Sequence, residues 1–238
     1  MNNKKKLLLL ELGFRDYQFT LDLQRRLCEL RTNDNISDIL LLVEHDHVIT
    51  CGKSAGKQDL LLTEDEQLTL GIPVYRVERG GEYTYHGPGQ LIGYPVIKLE
   101  DEYRHLSWYI AQLEEVIIKT LGEFMISSGR RAGFPGVWVN DKKIASIGIA
   151  VKRWVSYHGF SINVNTCLEN FQYINPCGQD WTIMTSMAQL RGNKMEMRRV
   201  IDVLVQKFTE TFSMEIESID YEHICETTLV GSEIGLSV

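Results

Sequence analysis

Apolar residues change their spacing repeatedly along the 238-residue chain, and each change marks an element. The run Leu7-Leu8-Leu9-Leu10, between Lys4-Lys5-Lys6 and Glu11, predicts a first strand. It superficially resembles a signal peptide, but Glu11 cuts it far short of a leader's apolar stretch and no small-residue cleavage site follows. From Asp16 to Arg31, Tyr17, Leu21, Leu27 and Leu30 recur at helical spacing. Asp38–Val43 and His47–Cys51 read as strands. Thr63-Glu64-Asp65-Glu66 has the form of a capping box, predicting a short helix that stops at Gly71. Ile72–Val77, Glu82–His86 and Gln90–Leu99 are strand-like, divided by Gly80-Gly81 and Gly87-Pro88-Gly89. A stronger helix is predicted from Leu106 to Phe124, with Ile110, Leu113, Ile117 and Leu121 on one face. Val137–Val139 and Lys143–Ala150 flank Asn140-Asp141-Lys142, a hairpin signal, and Ser156–Val164 is another strand. A last helix from Met195 to Phe212 sets Met197, Val200, Ile201, Leu204 and Phe208 on one side.

Strands thus cluster between helices without regular βαβ alternation. That predicts an α+β protein with mixed, mainly antiparallel sheets and packed helices. Repeats, low-complexity stretches and linkers are absent from the sequence, so residues 1–238 read as a single domain. A hydrophobic share of 44% is enough for one sizeable core. Apolar runs stay far below the ~20 residues of a membrane span, so no membrane partner is expected. The net charge of −7 argues against a nucleic-acid partner, and any acidic partner would have to meet a local basic patch. Candidates for such a patch are Arg76, Arg79, Arg130, Arg131, Lys152 and Arg153. Five cysteines, Cys28, Cys51, Cys167, Cys177 and Cys225, form an odd set without a CxxC pair. Neither a disulfide framework nor a zinc site follows from that spacing; a reducing, cytoplasmic setting is the simpler expectation.

Four stretches stand out chemically. Arg79-Gly80-Gly81-Glu82-Tyr83-Thr84-Tyr85-His86-Gly87-Pro88-Gly89-Gln90 is poor material for a strand interior. Its glycines would let backbone approach a ligand closely; it could instead be two tight turns in a sheet. It is neither GxGxxG nor a Walker A loop, so no recognised nucleotide cradle is offered. In Lys143-Ile144-Ala145-Ser146-Ile147-Gly148, an undistorted strand puts Lys143, Ala145 and Ile147 on one face. Taken alone, Lys143 reads as a solvated lysine after a hairpin turn. His158, ahead of Gly159-Phe160-Ser161, reads on its own as a structural histidine. In Asn175-Pro176-Cys177-Gly178, Pro fixes the entering backbone and Gly removes bulk, leaving a thiol on a rigid, open turn. Cys28 and Cys51 look like packing positions, and Cys167 and Cys225 have no supporting neighbours.

In order and spacing, Arg79–Pro95, Lys143–Gly148, His158–Phe160 and Asn175–Gly178 resemble the signature blocks of the lipoyl(octanoyl) transferases. A weaker block from Val43-Glu44-His45 to Gly52 fits too, and the resemblance spans roughly Leu7 to Leu190. It implies a fold shared with biotin and lipoate protein ligases, without their ATP chemistry and with no cofactor or metal. The implied reaction moves an octanoyl group from octanoyl-acyl carrier protein to a lysine of lipoyl domains. Those acceptors would be the lipoyl domains of 2-oxoacid dehydrogenases and the glycine cleavage H protein. The acyl-thioester nucleophile falls on Cys177 and the lysine that activates it on Lys143. Substrate-binding segments fall on Arg79, Gly80, Gly81, Glu82, Tyr83, Thr84, Tyr85 and His86, on Ser146, Ile147 and Gly148, and on Gly159, Phe160 and Ser161. Ser161-Ile162-Asn163 departs from the usual Ala-Leu-Asn and adds a hydroxyl to a pocket wall. Three rivals remain at this point: an ATP-dependent ligase of the same fold, a catalytically silent lipoyl-domain binder, and a papain-like hydrolase using Cys177 and His158.

Overall fold

In the computed structural model, which describes residues 5–100, 104–222 and 224, the leucine run becomes strand β1 (Lys5–Phe14). Helix α1 (Tyr17–Thr32) follows, its first turn closed by the Asp16 carboxylate, which accepts from the Phe19 N–H at 2.8 Å. It returns the chain to β2 (Asp38–Glu44), parallel to β1. Leu40, Leu41 and Leu42 of β2 are all buried, as suits a strand covered on both faces. From β2 the sheet continues through β6 (Gln90–Val96), β10 (Val155–Asn163), β9 (Lys142–Lys152), β8 (Phe134–Val139) and β7 (Gly129–Arg131), each antiparallel to its neighbour. Strand β11 (Met214–Ser218) adds a parallel edge beyond β1. A smaller sheet has β3 (Val48–Cys51) between β4 (Val74–Arg76) and β5 (Tyr83–His86). The architecture is the expected mixed, mainly antiparallel α+β arrangement.

Period sorts the side chains into layers. On one face, Leu113, Ile117 and Leu121 of α3 (Leu106–Glu123) and Val200, Leu204 and Phe208 of α5 (Met197–Phe212) pack with Leu40, Phe160 and Ile162. On the other, Leu27 and Leu30 of α1 meet Ile39, Leu41 and Tyr94. The small sheet keeps its own core of Ile49, Tyr85, Phe171 and Ile174.

Helix α2 (Glu64–Leu70) carries the expected reciprocal Thr63–Glu66 cap and ends at Gly71 with φ +64°. The strand expected at Ile72–Val77 contracts to β4, and β6 ends at Val96 rather than Leu99. Ile110, expected in the core face of α3, turns to a cavity instead. Pattern reading also missed β7, β11 and the five-residue helix α4 (Met187–Arg191), which are too short to display a period. Cys225 lies outside the described residues, as does the side chain of Cys177. Among the described residues, no helix is long and apolar enough to cross a membrane, and no group of three or more His, Cys, Asp or Glu could hold a metal.

Asp38, fully buried at the start of β2, ties this frame together. Its Oδ1 accepts from Arg31 Nε at 2.6 Å and from the Lys98 N–H at 2.9 Å, and its Oδ2 lies 3.0 Å from Lys5 Nζ. Removing one partner of a buried pair strands the other charge, so Asp38→Ala should lower the unfolding free energy by about 3–5 kcal/mol in urea titrations. The exposed pair Arg198–Asp202 should contribute less than about 1 kcal/mol by the same measurement.

Candidate active site

A cavity of about 330 Å³ opens where the small sheet and the Arg79–His86 segment cover the middle of β6, β10 and β9. Along β9, regular alternation would point residues 143 and 146 to opposite faces, yet both Lys143 and Ser146 line this cavity. A bulge explains it. Val137 and Trp138 are neighbours on β8, but their partners Ala145 and Lys143 are two apart, so Ile144 is the extra residue. Ile144 and Ala145 both turn into the core, and Lys143 is carried round to the face of Ser146. Lys143 is only 3% exposed, so it is not the solvated lysine that its neighbours in sequence suggest, and it does not share the core-facing side of Ala145. Its Nζ lies 5.6 Å from the centroid of the Trp138 ring.

The cavity floor is lowered by two glycines that face each other across β9 and β10, Gly148 and Gly159. A Cβ at Gly159 would lie 2.1 Å from the Gly93 carbonyl oxygen, so any side chain there would push β6 and β10 apart. A Cβ at Gly148 would touch the Arg79 stem at 3.0 Å. Arg79 is buried over this floor, its guanidinium donating to Thr50 Oγ1 at 2.8 Å and to the Thr50 carbonyl at 2.7 Å. The Gly80 N–H donates to the Ile149 carbonyl at 2.9 Å, stitching the glycine segment to β9.

The turn that bears Cys177, Pro176–Gly178, is suspended between two anchored stretches. Before it, Ile174 bridges Leu60, and the Asn175 N–H donates to the Asp59 carbonyl at 2.9 Å. After it, Met184 bridges Lys143, and the Thr185 N–H donates to the Lys143 carbonyl at 3.0 Å. Chain exit and return are therefore both fixed, and Pro176 lines the cavity together with Lys143. Gly178 takes φ +64°, a left-handed turn for which glycine is suited.

A buried relay of side-chain amides backs the site. Gln90 Nε2 donates to Asn163 Oδ1 at 2.9 Å, and Asn163 Nδ2 donates to the Thr185 carbonyl at 3.0 Å. That orientation turns Gln90 Oε1 toward His86 Nδ1 at 2.7 Å, so Nδ1 carries the proton and donates, and Nε2 is left as an acceptor. Burial holds His86 neutral by pushing its pKa down to about 3. His45 is likewise pushed down by burial to about 4, with Nδ1 2.7 Å from the Arg15 carbonyl and Nε2 3.0 Å from Tyr94 Oη.

His158 has a left-handed backbone, φ +54°, which lays its ring against Tyr157 at 4.9 Å between centroids. Its backbone N–H is taken by Gln24 Oε1 at 2.9 Å. The contact from Nε2 to Glu78 Oε2, 3.5 Å, is long for a hydrogen bond. Arg25, 2.8 Å from the other Glu78 oxygen, is the firmer partner of that carboxylate.

Of the segments expected to bind substrate, Arg79 to Thr84, His86, Ser146 to Gly148 and Gly159 to Ser161 all line the cavity. Tyr85 does not. Strand alternation turns it into the small sheet's core, where its hydroxyl meets His47 Nδ1 at 2.6 Å and Asn170 Nδ2 at 2.9 Å. Sequence reasoning missed Tyr17, Ile92, Tyr94 and Pro135 as lining residues. The first three sit at ordinary apolar spacing, and only Pro135, beside Gly133 and Gly136, gave a local signal. The expected basic rim is largely engaged within the protein. Arg79 is buried, Arg130 is bound to Glu114 and Glu115, and Lys152 lies 3.7 Å from Glu29.

Comparison with known proteins places the chain in a family. Residues 16–209 match the family described as the lipoyl protein ligase A/B catalytic domain. An octanoyltransferase of Desulforamulus reducens is 38% identical over 229 residues, covering 96% of this chain and all of that protein. A crystal structure of lipoate-protein ligase A bound with ATP superposes with a TM-score of 0.74 at 16% identity, over 95% of this chain and 93% of that one. Biotin protein ligase from Aquifex aeolicus, in complex with biotin and ATP, gives 0.54 at 16% identity, over 88% and 71% respectively. At such identities the two structures speak for the fold alone.

The neutral histidines set a pH dependence. An unfolded chain accepts a proton on His86 at about pH 6.5 that the folded protein refuses until about 3, so this contribution is complete above 6.5 and lost as pH falls. Each such histidine adds up to about 1.4 kcal/mol per pH unit to the slope of stability against pH. His86→Gln should flatten that slope by about this amount between roughly pH 4 and 6.5, read from urea unfolding at each pH.

Proposed function

The chain belongs to the lipoyl protein ligase A/B catalytic domain family, and we propose that it is an octanoyltransferase that works through a Cys177 thioester. The donor is octanoyl-acyl carrier protein and the acceptor a lysine of a lipoyl domain, in 2-oxoacid dehydrogenases or the glycine cleavage H protein. One observation carries the reading: the buried Lys143 side chain and the turn bearing Cys177 border one cavity, walled by the segments expected to bind substrate.

The chemistry follows from the groups present. A thiol with the ordinary pKa of about 8.5 is only a few per cent thiolate at neutral pH. A neighbouring ammonium favours the thiolate, which is the nucleophile. Cys177 Sγ attacks the thioester carbonyl, the new S–C bond forms, and the carrier's sulfur leaves and takes up a proton. In the second half, a neutral lysine amine attacks the Cys177 thioester, its nitrogen loses a proton, and Cys177 is released as the thiol. Lys143 passes the protons in both halves. Exchange between thioesters is nearly isoenergetic and thioester to amide is downhill, so ATP is not required. The wall of Arg79, Gly148 and Gly159 holds the acyl chain away from water.

Intact mass after incubation with octanoyl-carrier protein should show one octanoyl adduct, mapping to Cys177. Cys177→Ala should lose it; normal transfer by that variant would sink the mechanism. Lys143→Ala should slow transfer by about 10²–10⁴-fold. Lys142→Ala should do little, because its exposed ammonium is turned to the Thr182 carbonyl. Free octanoate with ATP should give no product, and product formation would favour a ligase.

A further inference from the structure

Glu114 is a carboxylate on the inner side of α3, 7% exposed and outside the chemistry just described. Its two oxygens do different things. Oε2 receives Arg130 Nε at 3.0 Å, and the same guanidinium reaches the Ala111 carbonyl at 2.9 Å and Glu115 Oε2 at 2.8 Å. Oε1 accepts the backbone N–H of Gly136 at 3.0 Å. Gly136 is the residue against which Lys143 lies: a Cβ there would stand 2.8 Å from Lys143 Cε and 2.4 Å from the Ala145 carbonyl oxygen. Its φ of +127° is one that a side chain rarely tolerates. The carboxylate therefore fixes the part of β8 that forms the groove for the lysine stem, next to the bulge that turns Lys143 inward.

The far end of the groove is the Trp138 ring, whose centroid lies 5.6 Å from Lys143 Nζ. The indole is itself pinned: Nε1 donates to the Phe134 carbonyl at 3.2 Å, and Arg131 sits over the ring at 4.8 Å. An aromatic face attracts an ammonium, more so where water is excluded. A long flexible lysine loses much of its rotamer freedom in such a seat. The seat thus decides where the ammonium stands relative to the nearby turn.

We propose that Glu114, through the Gly136 N–H, and Trp138, through its ring face, are positioning residues that hold Lys143 in place for proton transfer at Cys177. The inference rests on the reading of Lys143 and Cys177 given above. It assigns Glu114 no contact with substrate. The carboxylate acts on Gly136 by accepting a hydrogen bond, which a glutamine in its place can still do, while Arg130 keeps its Glu115 partner.

The test measures iodoacetamide alkylation of Cys177 against pH, together with the rate of acyl transfer from octanoyl-carrier protein, on the full chain. Glu114→Ala should move the alkylation profile toward higher pH and slow neutral-pH alkylation by roughly tenfold, with the loss of transfer in kcat rather than KM. Glu114→Gln should restore most of both. Trp138→Leu should reproduce the Glu114→Ala profile, and Trp138→Phe should stay near the unaltered enzyme. If Glu114→Ala does not fold, the Trp138 pair decides by the same profile. A profile for Glu114→Ala or Trp138→Leu that coincides with the unaltered enzyme overturns the inference. So does a Glu114→Gln variant as impaired as Glu114→Ala. An unaltered enzyme that forms no Cys177 adduct overturns the functional reading itself, and the inference with it.

Discussion

An antiparallel strand sends residues 143 and 146 to opposite faces, and a site that needs both on one side has to break the alternation. The β8–β9 bulge does this with one residue, Ile144, which joins Ala145 in the core while Lys143 swings to the cavity. A bulge is tolerated where its surroundings over-determine the local backbone. Here the strand before it is tethered to α3, and the segment 184–185 runs beside the lysine. The price is small, since the extra residue is an isoleucine that buries completely.

Space is the second constraint. A chain that covers a sheet with both a helix and a second sheet normally fills the gap with side chains. Gly93, Gly148 and Gly159 contribute none of their own, and the room left is taken by the Phe160 ring, the Arg79 stem and the cavity. Part of what surrounds that gap is buried and polar, and such groups are costly unless they bond one another. The His86–Gln90–Asn163–Thr185 relay meets the requirement on one side, and Thr50 meets it for Arg79 on the other. Neutral His86 belongs to the same logic, because a charged imidazole there would sit beside Arg79 away from water.

Much of this was legible in the sequence, for identifiable reasons. Helices α1, α3 and α5 announce themselves by period, and α2 by the reciprocal Thr63–Glu66 cap, because these signals are local. The walls from Arg79 to Thr84 and from Gly159 to Ser161 were visible as glycine-rich interruptions and through the family resemblance. Lys143 was not legible as a buried group, because a bulge is a fact of pairing and leaves no trace in apolar spacing. Tyr85 was over-counted because a motif names every residue of a segment, whereas this side chain packs into the small sheet's core and its hydroxyl is bound there by His47 and Asn170. Tyr17 and Tyr94 sit at spacings that predict core, and only the meeting of α1 with β6 shows that they line a cavity.

The chain shares its fold with enzymes whose structures hold ATP; in this chain the stretch between β10 and α4 carries the Pro176–Gly178 turn. The segment from Leu168 to Ile183 contains no α-helix or strand, only three short 3₁₀ helices, each pinned at its margin by a backbone hydrogen bond. Such a stretch is a poor source of folding energy, because it closes few ladder bonds and orders much backbone. Its use is geometric. Two anchors, at Leu60–Ile174 and Lys143–Met184, bring a Pro-Cys-Gly turn to the wall of a cavity whose other wall carries a buried lysine. In the mechanism proposed above, a substrate that arrives already activated as a thioester needs a nucleophile and a proton carrier held at fixed separation. Rigidity of the turn and of the lysine's seat then matters more than any contact with a nucleotide.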